Sequence, residues 1–215
     1  MRIYQLVLAA AAIAATSAIA SPLTVNNFSF ETLPGGGLPS PCGPGCSYST
    51  APAPGWVTTG SSGQFQPGVT PGPYFNSLSD GPTSAYTNGG VFSQTILPTV
   101  QLGMLYVLSV DIGYRLDTSF AGTARLLING NPYDALGVTP VRGTFGTFTA
   151  TYTGLAADVG QAITIELNSN GSQGNWDNVR LDGTAPSVVP EPATLFLLAP
   201  ALLMLRRRRQ QSVRG

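Results

Sequence analysis

Apolar and polar residues alternate in short runs through most of this chain. Between Pro22 and Ser187 no stretch carries the 3.6-residue period of an amphipathic helix. The clearest run is Leu105 to Arg115: Tyr106, Leu108, Val110, Ile112 and Tyr114 share one parity, while Ser109, Asp111, Gly113 and Arg115 share the other. A period of two over that length predicts a strand with one buried face. Thr123 to Ile128, closed by Asn129-Gly130, predicts another strand. So do Phe145 to Tyr152, Ala162 to Asn168 and Trp176 to Leu181. Shorter strands are predicted at Leu23 to Glu31, with Phe28 and Phe30 on one face, and at 55–57, 63–66, 84–87 and 91–96. Asp80-Gly81 and Asn88-Gly89-Gly90 read as turns. Gly35 to Pro54 and Pro67 to Pro73, rich in Gly, Pro and Ser, read as loops. Eight or more short strands separated by such turns predict an all-β, antiparallel β-sandwich.

The two ends break this pattern. Arg2, the apolar run Leu6 to Ala15 and the small residues of Ala18-Ile19-Ala20 read as a signal peptide over 1–20, a signal helix removed so that Ser21 becomes the first residue. At the other end Val189-Pro190-Glu191-Pro192 precedes the apolar run Ala193 to Leu205 and four consecutive arginines, Arg206 to Arg209. An apolar helix stopped by clustered Arg reads as a membrane segment with its basic end in the cytoplasm. Its 13 residues would rise about 20 Å, short of a hydrocarbon core about 30 Å thick. Pro200 also removes one helical hydrogen bond. These features suit a cleaved sorting tail better than a permanent anchor, the plainer alternative. The expected organisation is a signal peptide (1–20), one sandwich domain (21–187) and a sorting tail with a short hydrophobic helix (188–215).

The tail resembles the PEP-CTERM sorting signal of Gram-negative bacteria, through Pro190, Glu191 and Pro192, the apolar run and the arginines, in that order. The resemblance implies processing by an exosortase, transient residence in the inner membrane, and delivery to the cell envelope or extracellular matrix.

Charge and composition narrow the chemistry. The formal net charge is zero, yet between the two end segments four arginines face nine acids, a net of −5, and there is no lysine or histidine. Such a domain is a poor nucleic-acid binder. Without histidine, Ser-His-Asp and Cys-His sites cannot be assembled. Two cysteines and no histidine also exclude a structural zinc site. In Cys42-Gly43-Pro44-Gly45-Cys46 the Gly-Pro-Gly turn brings the sulfurs together, predicting a small disulfide ring in an exported protein. A redox role is the sharper alternative, but the spacing is not Cys-x-x-Cys.

Three segments in order resemble the galactose-binding-like jelly rolls, which include many carbohydrate-binding modules: Asn27-Phe28-Ser29-Phe30-Glu31, Gly103 to Val110, and Asn175-Trp176-Asp177-Asn178-Val179-Arg180-Leu181. The resemblance implies a two-sheet jelly roll with its first and last strands side by side, and polysaccharide as a candidate ligand. Sugar-binding relatives stack sugars on exposed aromatics. The candidates are Trp56, Tyr74, Tyr86, Tyr133 and Trp176, of which Trp56 and Tyr86 fall in strand-like stretches and suit a core, while Tyr74 and Tyr133 fall in loops.

Asp177 shares parity with Val179 and Leu181 and is expected to point inward, which is costly for an unpaired carboxylate. With Glu31 brought beside it by the jelly-roll order, the pair predicts a structural Ca²⁺ ion. The alternative is that Asp177 caps the local turn. The leading functional expectation is an exported, non-catalytic envelope or matrix protein, with polysaccharide as a ligand. The other is a β-sandwich glycoside hydrolase or lyase using Asp111 and Glu166, both off the apolar parity of their strands.

Overall fold

The computed structural model describes residues 19–186; the signal segment, the sorting motif Pro190 to Pro192 and the two expected terminal helices lie outside them. Eleven strands follow in order: β1 (Ala20–Leu23), β2 (Ser40–Gly43), β3 (Cys46–Ser49), β4 (Val57–Gln66), β5 (Ser84–Ile96), β6 (Leu105–Tyr114), β7 (Gly122–Ile128), β8 (Asn131–Asp134), β9 (Thr144–Thr153), β10 (Ile163–Ser169) and β11 (Gln173–Thr184). A single 3-10 turn, Ala156–Asp158, interrupts them. All the strand pairings are antiparallel.

The strands form one sheet folded over into two layers. β3, the second half of β4, the first half of β5, β11, β6 and β9 lie edge to edge in one layer. The first half of β4, the second half of β5, β10, β7 and β8 form the other. β4 and β5 pass from one layer to the other at a shared corner, where the register slips between Thr59 and Ser61. The corner needs glycine: Gly60 has φ +68, and a Cβ there would lie 2.9 Å from the Gly90 Cα. Asn88-Gly89-Gly90 is therefore a bend inside a 13-residue strand, not the turn its composition predicts.

The core lies between the layers. Leu108, Val110, Ile112, Phe148, Ala150, Trp176 and Val179 face Leu126, Ile128, Ile163, Ile165, Leu167 and Phe92. The Trp176 indole donates to the Thr123 carbonyl of the facing layer at 3.0 Å. Trp176 is thus fully buried, which removes it from the sugar-stacking candidates. The Asn129-Gly130 hairpin forms as expected, both residues at positive φ.

β1 pairs with β11, so first and last strands do lie side by side. The first strand is shifted from its expected place, however. Residues 24–31 form a turn in which Asn27 and Phe30 have positive φ, with Phe30 buried against Trp56 and Phe92. The Gly35–Pro54 segment also differs: it contains the β2–β3 hairpin, closed by the predicted Cys42–Cys46 disulfide.

Candidate functional site

The outer face of the first layer is covered at one end by a second aromatic cluster. Phe65, Phe75, Tyr86 and Cys46 form its buried part, with Cys42, Tyr48, Tyr74, Leu78 and Phe145 packed on it. Period two explains the grouping. Tyr48 is opposite Phe65, Phe65 opposite Ser84, and Tyr86 between Gly63 and Asn175, so these side chains share the face that the core residues leave free. β3 crosses close over Gly63, where a Cβ would meet the Ser49 carbonyl at 1.7 Å.

Beside this cluster opens a cleft of about 370 Å³, lined by Tyr48, Phe65, Tyr74, Tyr86, Cys42, Thr50, Ser61, Asn88, Arg115 and Gln173. Tyr74 and Tyr48 are half-buried and present ring surface to it; Tyr86 and Phe65 form its floor. The Arg115 guanidinium lies 4.5 Å from the Tyr74 ring centre and 5.4 Å from that of Phe65. Its Nε and Nη2 are held by Asp117 at 2.8 and 2.6 Å. That contact, above all its hydrogen bond, keeps the Asp117 carboxyl below its ordinary range. The Tyr74 hydroxyl donates to the Cys42 carbonyl at 2.7 Å, tying the 67–83 loop to the disulfide hairpin. Burial, with the Tyr48 hydroxyl adding, pushes the Tyr86 phenol up, so it stays neutral. Among the described residues, none of the ten lining the cleft is an Asp, Glu, His or Lys.

Of the aromatic candidates, Tyr74 and Tyr86 reach this cleft, and Trp56 is core as its strand-like stretch suggests. Tyr133 is in β8, half-buried against Tyr152, rather than in a loop. Tyr48, Arg115, Asn88 and Gln173 carry no local signal in the sequence, because the cleft gathers them from four separate segments.

Glu31 and Asp177 meet at a second place, around the segment 80–83. Asp177 is buried, but not by the core. Its cross-strand partner is Asp111, while Trp176 faces Ile112. A register slip between Asp177 and Arg180, with Asn178 at φ +49, turns Val179 back inward. Asp177 therefore points to the outer face, opposite to the inward direction that its parity predicts. Its Oδ2 accepts the Asp80 N–H at 2.8 Å and its Oδ1 the Asn178 N–H at 2.8 Å. Asp177 thus caps the local turn, the alternative expected for it. Glu31 accepts the Thr83 N–H at 2.8 Å and the Thr83 hydroxyl at 3.1 Å. Burial pushes the Asp177 carboxyl up to about 8; the Asp80 and Glu31 charges add to this, against the two backbone N–H bonds. Gln64, whose amide donates to the Phe30 and Thr32 carbonyls flanking Glu31, leaves its buried Oε1 without a partner, as does Asn178 its Oδ1. Among the described residues, no group of three His, Cys, Asp or Glu side chains is placed to hold a metal ion.

The remaining acid pair is not brought together. Asp111 accepts hydrogen bonds from Ser79, Thr147 and Asn178 on the outer face of the first layer. Glu166 pairs with Arg125 on the outer face of the other. Two carboxylates on opposite outer faces cannot flank one glycosidic bond.

The family model described as HpiC1 cyclase matches residues 21–182, from β1 into β11. No curated protein matches the chain. Solved structures that it resembles in part include the CBM22-1–GH10 modules of Clostridium thermocellum xylanase 10B, complexed with xylohexaose (15% identity, 65% of this chain, TM-score 0.43); the chain spans 27% of that protein. Others are the CBM22-1 xylan-binding domain of Paenibacillus barcinonensis Xyn10C (14% identity, 82% of this chain and 100% of that one, TM-score 0.43) and TmCBM61 in complex with β-1,4-galactotriose (14% identity, 75% and 98%, TM-score 0.43).

Proposed function

The chain belongs to the HpiC1-like family, and we propose that it is an exported, non-catalytic protein whose aromatic cleft binds polysaccharide. The observation that carries this reading is the cleft's lining. Tyr48 and Tyr74 offer ring faces to the apolar face of a sugar, and Asn88, Gln173 and Ser61 offer planar amides and a hydroxyl to its oxygens. A site without an unpaired carboxylate or a histidine favours binding over hydrolysis. The PEP-CTERM-like tail supports processing by an exosortase and a destination in the envelope or exopolysaccharide matrix of a Gram-negative bacterium. Glu31 and Asp177 would hold a structural Ca²⁺ ion, which would keep Asp177 charged where burial alone disfavours it.

The family description favours one second reading, a cyclase acting in the same cleft, where the rings of Tyr48, Tyr74 and Phe65 would face a developing positive charge. One pair of assays separates the two. Residues 21–186 are applied to a glycan array and to extracted exopolysaccharide, with Tyr48→Ala and Tyr74→Ala beside the wild type. Binding that falls about tenfold per ring, roughly 1.4 kcal/mol, supports the polysaccharide reading. Retention on no glycan, with or without calcium, overturns it. Turnover of a small polyene-like substrate to a cyclic isomer would support the other.

A further inference from the structure

The two chain ends leave the sandwich at one place. Ala20 is opposite Thr184, Thr184 is opposite Leu105, and Leu105 is opposite Thr153. The chain passes Pro186 against Gly103 before leaving the described domain. The loops at this end, 97–104 and 154–161, are tied to each other: Gly103 donates to the Gly154 carbonyl at 2.8 Å, and Gly160 to that of Val100 at 2.9 Å. On those loops Leu97, Leu102, Leu155 and Val159 stand between 52% and 76% exposed, with Leu105 beside them at 38%. The one charged residue of both loops, Asp158, is buried, its carboxylate accepting the Tyr152 hydroxyl at 2.7 Å. This end of the domain is therefore apolar and without exposed charge on its two main loops. Single exposed leucines are ordinary, but several on two hydrogen-bonded loops form a patch.

Where the chain goes next says what covers that patch. Six residues, Ser187 to Pro192, separate Pro186 from the apolar run that begins at Ala193. Fully extended they reach at most about 20 Å. If the run enters a membrane, the domain cannot stand farther off than that, and the end it presents is the one from which the chain emerges. We propose that the 97–104 and 154–161 loops form a foot that rests in the headgroup region of the lipid bilayer while the tail is uncut. The occupant is lipid, not protein: the patch surrounds the exit of a membrane-bound tail, and leucines without neighbouring charge suit an interface whose anionic lipids repel an acidic domain. The cleft belongs to the opposite end. β11 runs from Gln173 at the cleft to Thr184 at the exit, roughly 35 Å at about 3.3 Å per residue. The foot therefore holds the cleft away from the membrane, open to polymer outside. The proposal rests on the sorting-tail reading, and its test separates the two.

The chain from Ser21 onward, with Pro190-Glu191-Pro192 replaced by alanines to prevent cleavage, is reconstituted into phosphatidylethanolamine–phosphatidylglycerol vesicles. A bimane label is placed at Leu102→Cys, at Leu155→Cys, or at Ser119→Cys, an exposed position in the loop that follows β6 at the cleft end. Headgroup-spin-labelled lipid should quench the first two at least threefold more than the third. Flotation with equal, weak quenching at all three positions leaves the anchor standing and overturns the foot. A chain that does not float removes the anchor and the proposal with it. Bimane at 102 that is shielded only as protein concentration rises marks a second copy as the occupant and also overturns it. Adding Leu102→Asp and Leu155→Asp to a chain labelled at Val159→Cys should abolish quenching at 159 without lowering the melting temperature, since both leucines are exposed in the fold.

Discussion

Asp177 offers the sharpest test of the structure. Its carboxyl is pushed to about 8, from 3.8 in the unfolded chain. A raised native pKa means that the folded state holds the proton more tightly than the unfolded one, so stability is full below about pH 4 and falls as pH rises through the window to about 8. The slope is ~1.4 kcal/mol per pH unit, and the whole window amounts to roughly 6 kcal/mol. That is a large part of the stability of an ordinary domain. Asp177→Asn removes the titration. It keeps one of the two accepted backbone bonds and loses the other, a constant cost of ~1 kcal/mol. In chelator, urea unfolding of residues 21–186 between pH 5 and 8 should therefore show the wild type weakening steadily and the variant nearly flat, with the lines crossing in that range. A Ca²⁺ ion at Glu31 and Asp177 would reverse the balance by favouring the charged carboxylate. Calcium at a hundred times its dissociation constant adds ~2.7 kcal/mol, a rise of roughly 5–10 °C in melting temperature at this size. Two results refute the reasoning. If the wild type is flat with pH in chelator, burial does not hold the proton. If calcium raises the variant's melting temperature as much as the wild type's, Asp177 is not a ligand.

Three further outcomes follow from other parts of the molecule. Gly63→Ala places a Cβ 1.7 Å from the Ser49 carbonyl, and should cost more than ~3 kcal/mol by prising β3 from β4; a loss below ~1 kcal/mol by calorimetry would show that β3 yields freely. Glu166→Gln breaks the cross-strand pair with Arg125 on a partly solvated face, and should cost only ~1 kcal/mol, less at high salt, with cleft binding unchanged; loss of glycan binding would contradict the placement of the site. Replacing Pro190-Glu191-Pro192 with alanines should leave the protein unprocessed in the inner membrane, and normal maturation in a cell-fractionation blot would refute the sorting reading.

Much of the sheet is legible in the sequence because period two is local. Leu105–Tyr114 and Thr144–Thr153 need only their own side chains to declare a buried face. What the pattern misses depends on residues far away. Asn88-Gly89-Gly90 reads as a turn until Gly60 is seen against it, at which point the glycines are room for a second backbone. The β2–β3 hairpin hides in a Gly- and Pro-rich stretch because its order comes from a disulfide and from Tyr74, which reaches it from the 67–83 loop. Strand parity puts Asp177 on the wrong face because one residue in the left-handed region, Asn178, shifts the register. Its Asp-Asn context is the signal that could have warned of it. Glu31 and Asp177 come to the same region not through paired strands, since Glu31 lies past β1, but because both accept hydrogen bonds from the segment 80–83. The cleft needed the structure, because no single strand carries more than two of its lining residues.

The placement of β11 has a mechanical consequence. The cleft lies at its beginning and the exit to the tail at its end, with β6 paired along most of its length and β1 and β5 along parts of its other edge. A polymer tugging on the cleft while the tail is held would pull almost parallel to the strand axis. The inter-strand hydrogen bonds would then be loaded in shear, all together, instead of peeling one after another from a free corner. The same number of bonds withstands far more force in the first geometry than in the second. With the tail held and polymer in the cleft, tension between them would meet the domain in its strongest direction.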